Sequence, residues 1–130
     1  MKLTEDNYTE LAEKVIVKLS QEKRPNGKPV QMVTTSKIRN LLAMTADIYN
    51  DVINSQDEKL STDIAGRIKY MKIRFVYEAG RQAEVKKLVE QAGLLEHLDD
   101  IGNSRKQYIL FSRYMEALVA YRKFYGGKDD

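Results

Sequence analysis

Apolar residues recur along this chain at intervals of three and four, and no stretch alternates with period two, so the pattern predicts helices from end to end. Tyr8, Leu11, Ala12, Val15, Ile16 and Leu19 share one face of a first helix. It stops before the run KRPNGKP, where Pro25 and Pro29 bracket an Asn26-Gly27 turn signal. Thr35 or Ser36 is placed to cap a second helix that carries Ile38, Leu41, Leu42, Thr45, Ile48, Tyr49, Val52 and Ile53 on one side. That helix ends in the polar stretch NSQDEK. Ser61 or Thr62 caps the third, with Asp63 in its first turn, where the helix dipole favours negative charge. Ile64, Ile68, Met71, Phe75 and Ala79 form its inward stripe, and the pattern runs to about Gly80, a stop or a kink. A shorter fourth helix, 83–92, groups Val85, Leu88 and Val89 before Gly93. Residues 94–101 add a brief turn or short helix. Ser104 then starts a long last helix with Tyr108, Phe111, Met115 and Leu118 inward. The expected fold is all-α: a single domain over residues 1–130, a bundle of about five helices. A basic loop at 23–34 joins the first two helices, and a tail at 126–130 frays after the last. Only MVTT is β-prone, and no internal repeat is visible.

Composition narrows what such a bundle can do. At 130 residues the chain is long enough to bury roughly 65–70% of its unfolded surface, so it needs no metal or disulfide staple. It has no cysteine, which excludes disulfides, thiolate metal sites and cysteine nucleophiles. No apolar run approaches the roughly 20 residues of a membrane span, and MKLTEDNYTEL lacks the apolar core of a secretion signal. A soluble, cytoplasmic protein without membrane attachment is the expectation.

Catalytic chemistry is not visible. The one histidine, His97, lies between Leu95 and Leu98 with only scattered carboxylates near it, which is poor spacing for a metal and fits a structural or solvent-facing role. There is no phosphate-binding P-loop and no G-x-G-x-x-G. The glycines at Gly80 and Gly126-Gly127 match helix ends. No catalytic residue, metal ligand or cofactor is expected. An enzyme built on Glu78 or on Asp99 and Asp100 with a divalent ion would betray itself by a metal-dependent rise in melting temperature.

Charge is more informative in its distribution than in its total of +3. From Glu22 to Arg39 five cations stand against one anion, and the same holds from Ile64 to Arg81. In the third helix Arg67, Tyr70, Arg74, Tyr77 and Arg81 fall within an ~80° sector at 100° per residue, beside the core stripe. Guanidinium groups match phosphate oxygens and tyrosine rings offer stacking surfaces, so this face suits a nucleic-acid backbone. It equally suits arginines wedged between helices and paired with acids such as Glu78 or Asp47. Lys69 and Lys72 lie on another side of that helix. Lys37 and Arg39 open the second helix, an end where cations oppose the dipole unless an anion sits nearby. In the last helix Arg122 projects to the inward side, where it snorkels or meets a carboxylate. Tyr108, Tyr114, Tyr121 and Tyr125 broaden that side beyond what a small bundle needs; core filling is the default reading and a protein partner the alternative.

Three blocks in order, TTSKIRNLL at Thr34–Leu42, YMKIRFVYEAGR at Tyr70–Arg81 and FSRYMEALVAYRKFY at Phe111–Tyr125, make the chain resemble the small subunit of the type III-A CRISPR effector, the Csm ribonucleoprotein. With their spacings the blocks cover most of the chain after Val33; the first thirty or so residues carry no matching motif. The resemblance implies a five-helix bundle present in several copies, forming a ridge beside the repeated backbone subunit that holds the CRISPR RNA. The guide–target duplex would lie in the groove between them. It implies no active site in this subunit, cleavage being the work of the backbone and large subunits. The partners implied are CRISPR RNA, target RNA, the backbone and large subunits, and other copies of the same chain. Lys37, Arg39, Lys72, Arg74 and Arg81 fall inside the matching blocks, and Arg67 and Lys69 join them as RNA-binding candidates on helix geometry. The competing reading is a helical protein–protein adaptor that binds no nucleic acid.

Overall fold

The computed structural model describes residues 2–23, 25–28 and 31–126. Among these it contains six helices: α1 (Tyr8–Gln21), α2 (Thr35–Asn54), α3 (Thr62–Arg81), α4 (Ala83–Gln91), α5 (Leu94–Ile101) and α6 (Arg105–Phe124). The expected count of about five is corrected by α5, which the pattern left between a turn and a helix. Gly93 at φ +61° turns the chain in the left-handed region and separates α4 from α5. Arg24, Pro29 and the tail at 127–130 lie outside the described residues.

The starts of α2, α3 and α6 follow the hydroxyl rule, with one shift of position. Thr34, not Thr35 or Ser36, caps α2, its Oγ1 accepting from the Lys37 N–H at 3.2 Å. Ser61 Oγ accepts from Ile64 N–H at 3.1 Å to open α3, and Ser104 Oγ from Gln107 N–H at 3.1 Å to open α6. Removing the α3 cap in Ser61→Ala is expected to cost about 1 kcal/mol, read as a lower urea midpoint at constant slope. Gly80 does not stop α3. That helix runs on to Arg81, and Gln82 ends it and begins α4.

The long α6 lies against α1 and α2, while α3 packs on α2 and α4 and α5 fills the end between α3, α4 and α6. Its inward residues Tyr108, Phe111, Met115 and Leu118 are fully buried, as the spacing predicts. The two buried tyrosines each carry their hydroxyl to a carbonyl: Tyr108 donates to Thr45 at 2.7 Å and Tyr114 to Ala92 at 2.9 Å. Burial raises the pKa of both, so they stay neutral donors over any ordinary pH. Arg122 departs from its expectation. It is buried, not snorkelled, and its Nε donates to the Val33 carbonyl at 2.7 Å, tying the end of α6 to the segment before α2. Arg105 serves the opposite corner, donating to the Val52 and Ile53 carbonyls at 3.1 and 3.3 Å at the C-terminal end of α2. Ile53, expected on the apolar side of α2, is exposed in that last turn.

His97 is half-buried, its ring edge-on to Tyr114 at 5.2 Å. Burial pulls its pKa below the usual imidazole value of 6.5, against the opposing pull of Asp100 and Glu96. The folded chain therefore takes up this proton at lower pH than the unfolded chain does. Stability tied to a neutral His97 is complete above pH 6.5 and is lost as pH falls through the lowered folded value. A His97→Leu variant is expected to lose that part of the acid limb in urea melts taken below pH 6.5.

Candidate nucleic-acid interface

The third helix positions most of the candidate cations, and its neighbours decide which of them remain available. Ile68, Met71, Phe75 and Ala79 bury one side of α3. Arg67, Arg74 and Arg81 follow one another at seven-residue steps, almost two full turns each, so they stay on one flank. The row is split by what it meets. Arg67 turns to α2, donating to Asp51 Oδ2 at 2.6 Å and to the Asp47 carbonyl at 3.3 Å, and this contact with Asp51 holds its pKa up. Arg81 lies over the Tyr77 ring at 6.0 Å and 4.0 Å from Glu78, too loose for a firm pair. Arg74 is exposed and, among the described residues, makes no hydrogen bond or ion pair. The same is true of Lys69.

Two lysines are committed inside the protein. Lys37 pairs with Glu84 of α4, which is drawn below the usual carboxylate range chiefly by that contact. The anion sought at the start of α2 is therefore one of the chain's own carboxylates. Since the folded pKa of Glu84 is depressed, its contribution is present above the unfolded value and lost as pH falls through the folded one. Lys72 reaches Asp99 of α5 at 2.7 Å. Arg39 is exposed on α2. The acids suggested as arginine partners are half right: Glu78 stands beside Arg81, while Asp47 offers its backbone and Asp51 supplies the carboxylate to Arg67.

Two features were not singled out in the sequence. Ile73 and Val76, 64% and 49% exposed, stand on the outward side of α3 beside Tyr70 and Tyr77, each 63% exposed. Ile73 stands two residues past Met71, about 200° round the helix, so periodicity alone places it opposite the core. The second feature is an open cleft of about 540 Å³ between α2 and α3, lined by Met44, Asp47, Ile48, Asp63, Tyr70 and Met71 with Arg67 and Arg74. It brings together the first three members of the arginine–tyrosine row. Its acidic and apolar lining comes from positions far apart along the chain. Among the described residues no group of acids and histidine is arranged to hold a metal ion. None of the helices described is long and apolar enough to cross a membrane.

The chemistry of this surface is thus cationic and aromatic along α3, with mixed charge at the α2 side. Residues 13–128 match the family described as Csm2 Type III-A. The CRISPR system Cms protein Csm2 of Streptococcus thermophilus is 42% identical over 127 residues, covering 98% of both chains. Its counterpart from Mycobacterium tuberculosis H37Rv is 40% identical over 129 residues, 99% of each chain. That of Enterococcus italicus is 40% identical over 95 residues, 72% of this chain and 68% of its own.

Proposed function

Since this chain belongs to the Csm2 family and is thereby the small subunit of a type III-A CRISPR complex, part of a bacterial antiviral defence, we propose that it performs no catalysis. We infer instead that it lends basic side chains to the guide–target RNA duplex. The observation that carries this reading is the outward flank of α3, where Arg74 and Arg81 project beside the exposed rings of Tyr70 and Tyr77, with Lys69 exposed on another side of the same helix as a third cation. Contacts of this type reach phosphate and sugar and so accept any guide sequence. Lys37, Arg67 and Lys72 join only by giving up a carboxylate, and are secondary in this proposal; Arg39 adds to the field from α2. Several copies in a ridge beside the backbone subunit, next to the large subunit, would repeat this flank along the duplex. The exposed Ile73 and Val76 supply apolar area for the protein contacts of such a ridge.

The same apolar stripe is what favours the second reading, an adaptor that contacts proteins alone. Salt separates the two. Three phosphate contacts to single-stranded RNA give a slope near −2 in log affinity against log salt, a loss of about 20-fold between 50 and 200 mM. Fluorescence anisotropy with a labelled RNA dodecamer reads this directly. An absence of binding even at 50 mM would support the adaptor.

A further inference from the structure

We propose that the cleft between α2 and α3 receives one unstacked nucleobase bearing an amino group, held against Tyr70 and read by Asp47 and Asp63. The inference rests on the RNA-contacting reading above and adds, to backbone contacts indifferent to sequence, a preference exerted only on a base that leaves the duplex stack. At about 540 Å³ the cleft is within the range of small-ligand sites, and its floor is apolar: Ile48 and Met71 are buried and Met44 half-buried. Tyr70, 63% exposed, lines the cleft and offers an aromatic ring on which a base can stack.

Charge decides which part of a nucleotide enters. Two carboxylates, Asp47 and Asp63, line the cleft with two guanidinium groups, and Arg67 is already engaged by Asp51. A phosphate placed inside would meet both carboxylates, so the cleft repels the backbone and suits a neutral ring. Carboxylates only accept hydrogen bonds, and adenine, cytosine and guanine offer an exocyclic amino group to them. Uracil flanks its single N–H with two carbonyl oxygens, which carboxylates repel. Arg74 lines the same cleft without a partner among the described residues, and is placed to hold the phosphate attached to the inserted base.

Nuclear magnetic resonance of the full chain, titrated with adenosine, uridine and ribose 5-phosphate, tests this. Adenosine is expected to shift the amides around Gly66 and Tyr70 saturably, with uridine weaker and ribose 5-phosphate inactive in the cleft. Tyr70→Ala should weaken adenosine binding about tenfold, and Asp63→Asn should narrow the gap between adenosine and uridine. Uridine binding as tightly as adenosine, or an adenosine affinity indifferent to Tyr70→Ala, overturns the inference. RNA oligomer binding that persists without any adenosine response removes the base pocket and leaves the backbone-contact reading intact. An adenosine response in a chain that binds no oligomer removes only the latter.

Discussion

Replacing Arg74 and Arg81 together by alanine is expected to reduce the salt dependence of RNA binding from about 20-fold to about threefold between 50 and 200 mM, because one phosphate contact remains of three. The reason lies in how little else those side chains do. Arg74 has no partner among the described residues, and Arg81 has only a 4.0 Å approach to Glu78 and a ring contact with Tyr77. Exposed substitutions away from caps and cores leave stability nearly unchanged, so the double variant should melt with the parent chain. Arg67→Ala should behave differently. It leaves Asp51 without its partner at the α2–α3 contact while removing a cation that was already neutralised. A weaker effect on RNA than that of Arg74→Ala is therefore expected, measured in the same titration. If the Arg74 and Arg81 variants unfold instead, their role is structural and the basic flank of α3 is not a binding surface.

The second large effect is on the fold itself. Phe111→Ala should cost about 3–5 kcal/mol, since the ring is fully buried and lies 6.3 Å from Phe75 at the point where α6 faces α3. Against a total stability of about 5–15 kcal/mol for a domain of this kind, that change removes about a fifth or more. Equilibrium urea denaturation should show a midpoint displaced strongly downward with the slope preserved. Because every candidate contact on α3 depends on the helix being seated by this core, RNA binding should fall in proportion to the folded fraction and not in its salt slope.

Helix placement was legible in the sequence wherever an apolar stripe ran for three turns or more, as in α2, α3 and α6. It was half legible in α5: the bounds 94–101 could be read, but eight residues give barely two turns of pattern and left turn and helix undecided. The α2 cap moved by one residue because Thr34, Thr35 and Ser36 offer equivalent hydroxyls. Tertiary packing selects among them by burying Thr35. Arg122 was misread for a related reason. A buried carbonyl at Val33, 89 residues away in the chain, is a partner that no local pattern announces. The candidate interface divides along the same line. The seven-residue spacing of Arg67, Arg74 and Arg81 places them on one flank without any structure. Whether a candidate cation is already paired depends in two cases on acids 16 and 47 residues distant, Asp51 for Arg67 and Glu84 for Lys37, and only the folded chain brings those together.

That α3 offers a free cationic and aromatic flank to RNA is most directly tested by photo-crosslinking in the assembled complex. Target RNA carrying 4-thiouridine would be irradiated on the complex and the crosslinked peptides identified by mass spectrometry. Crosslinks in this subunit that fall within the stretch 67–81 are the predicted result. Crosslinks to other faces of the bundle with none on α3, from a complex that retains its target, would contradict it.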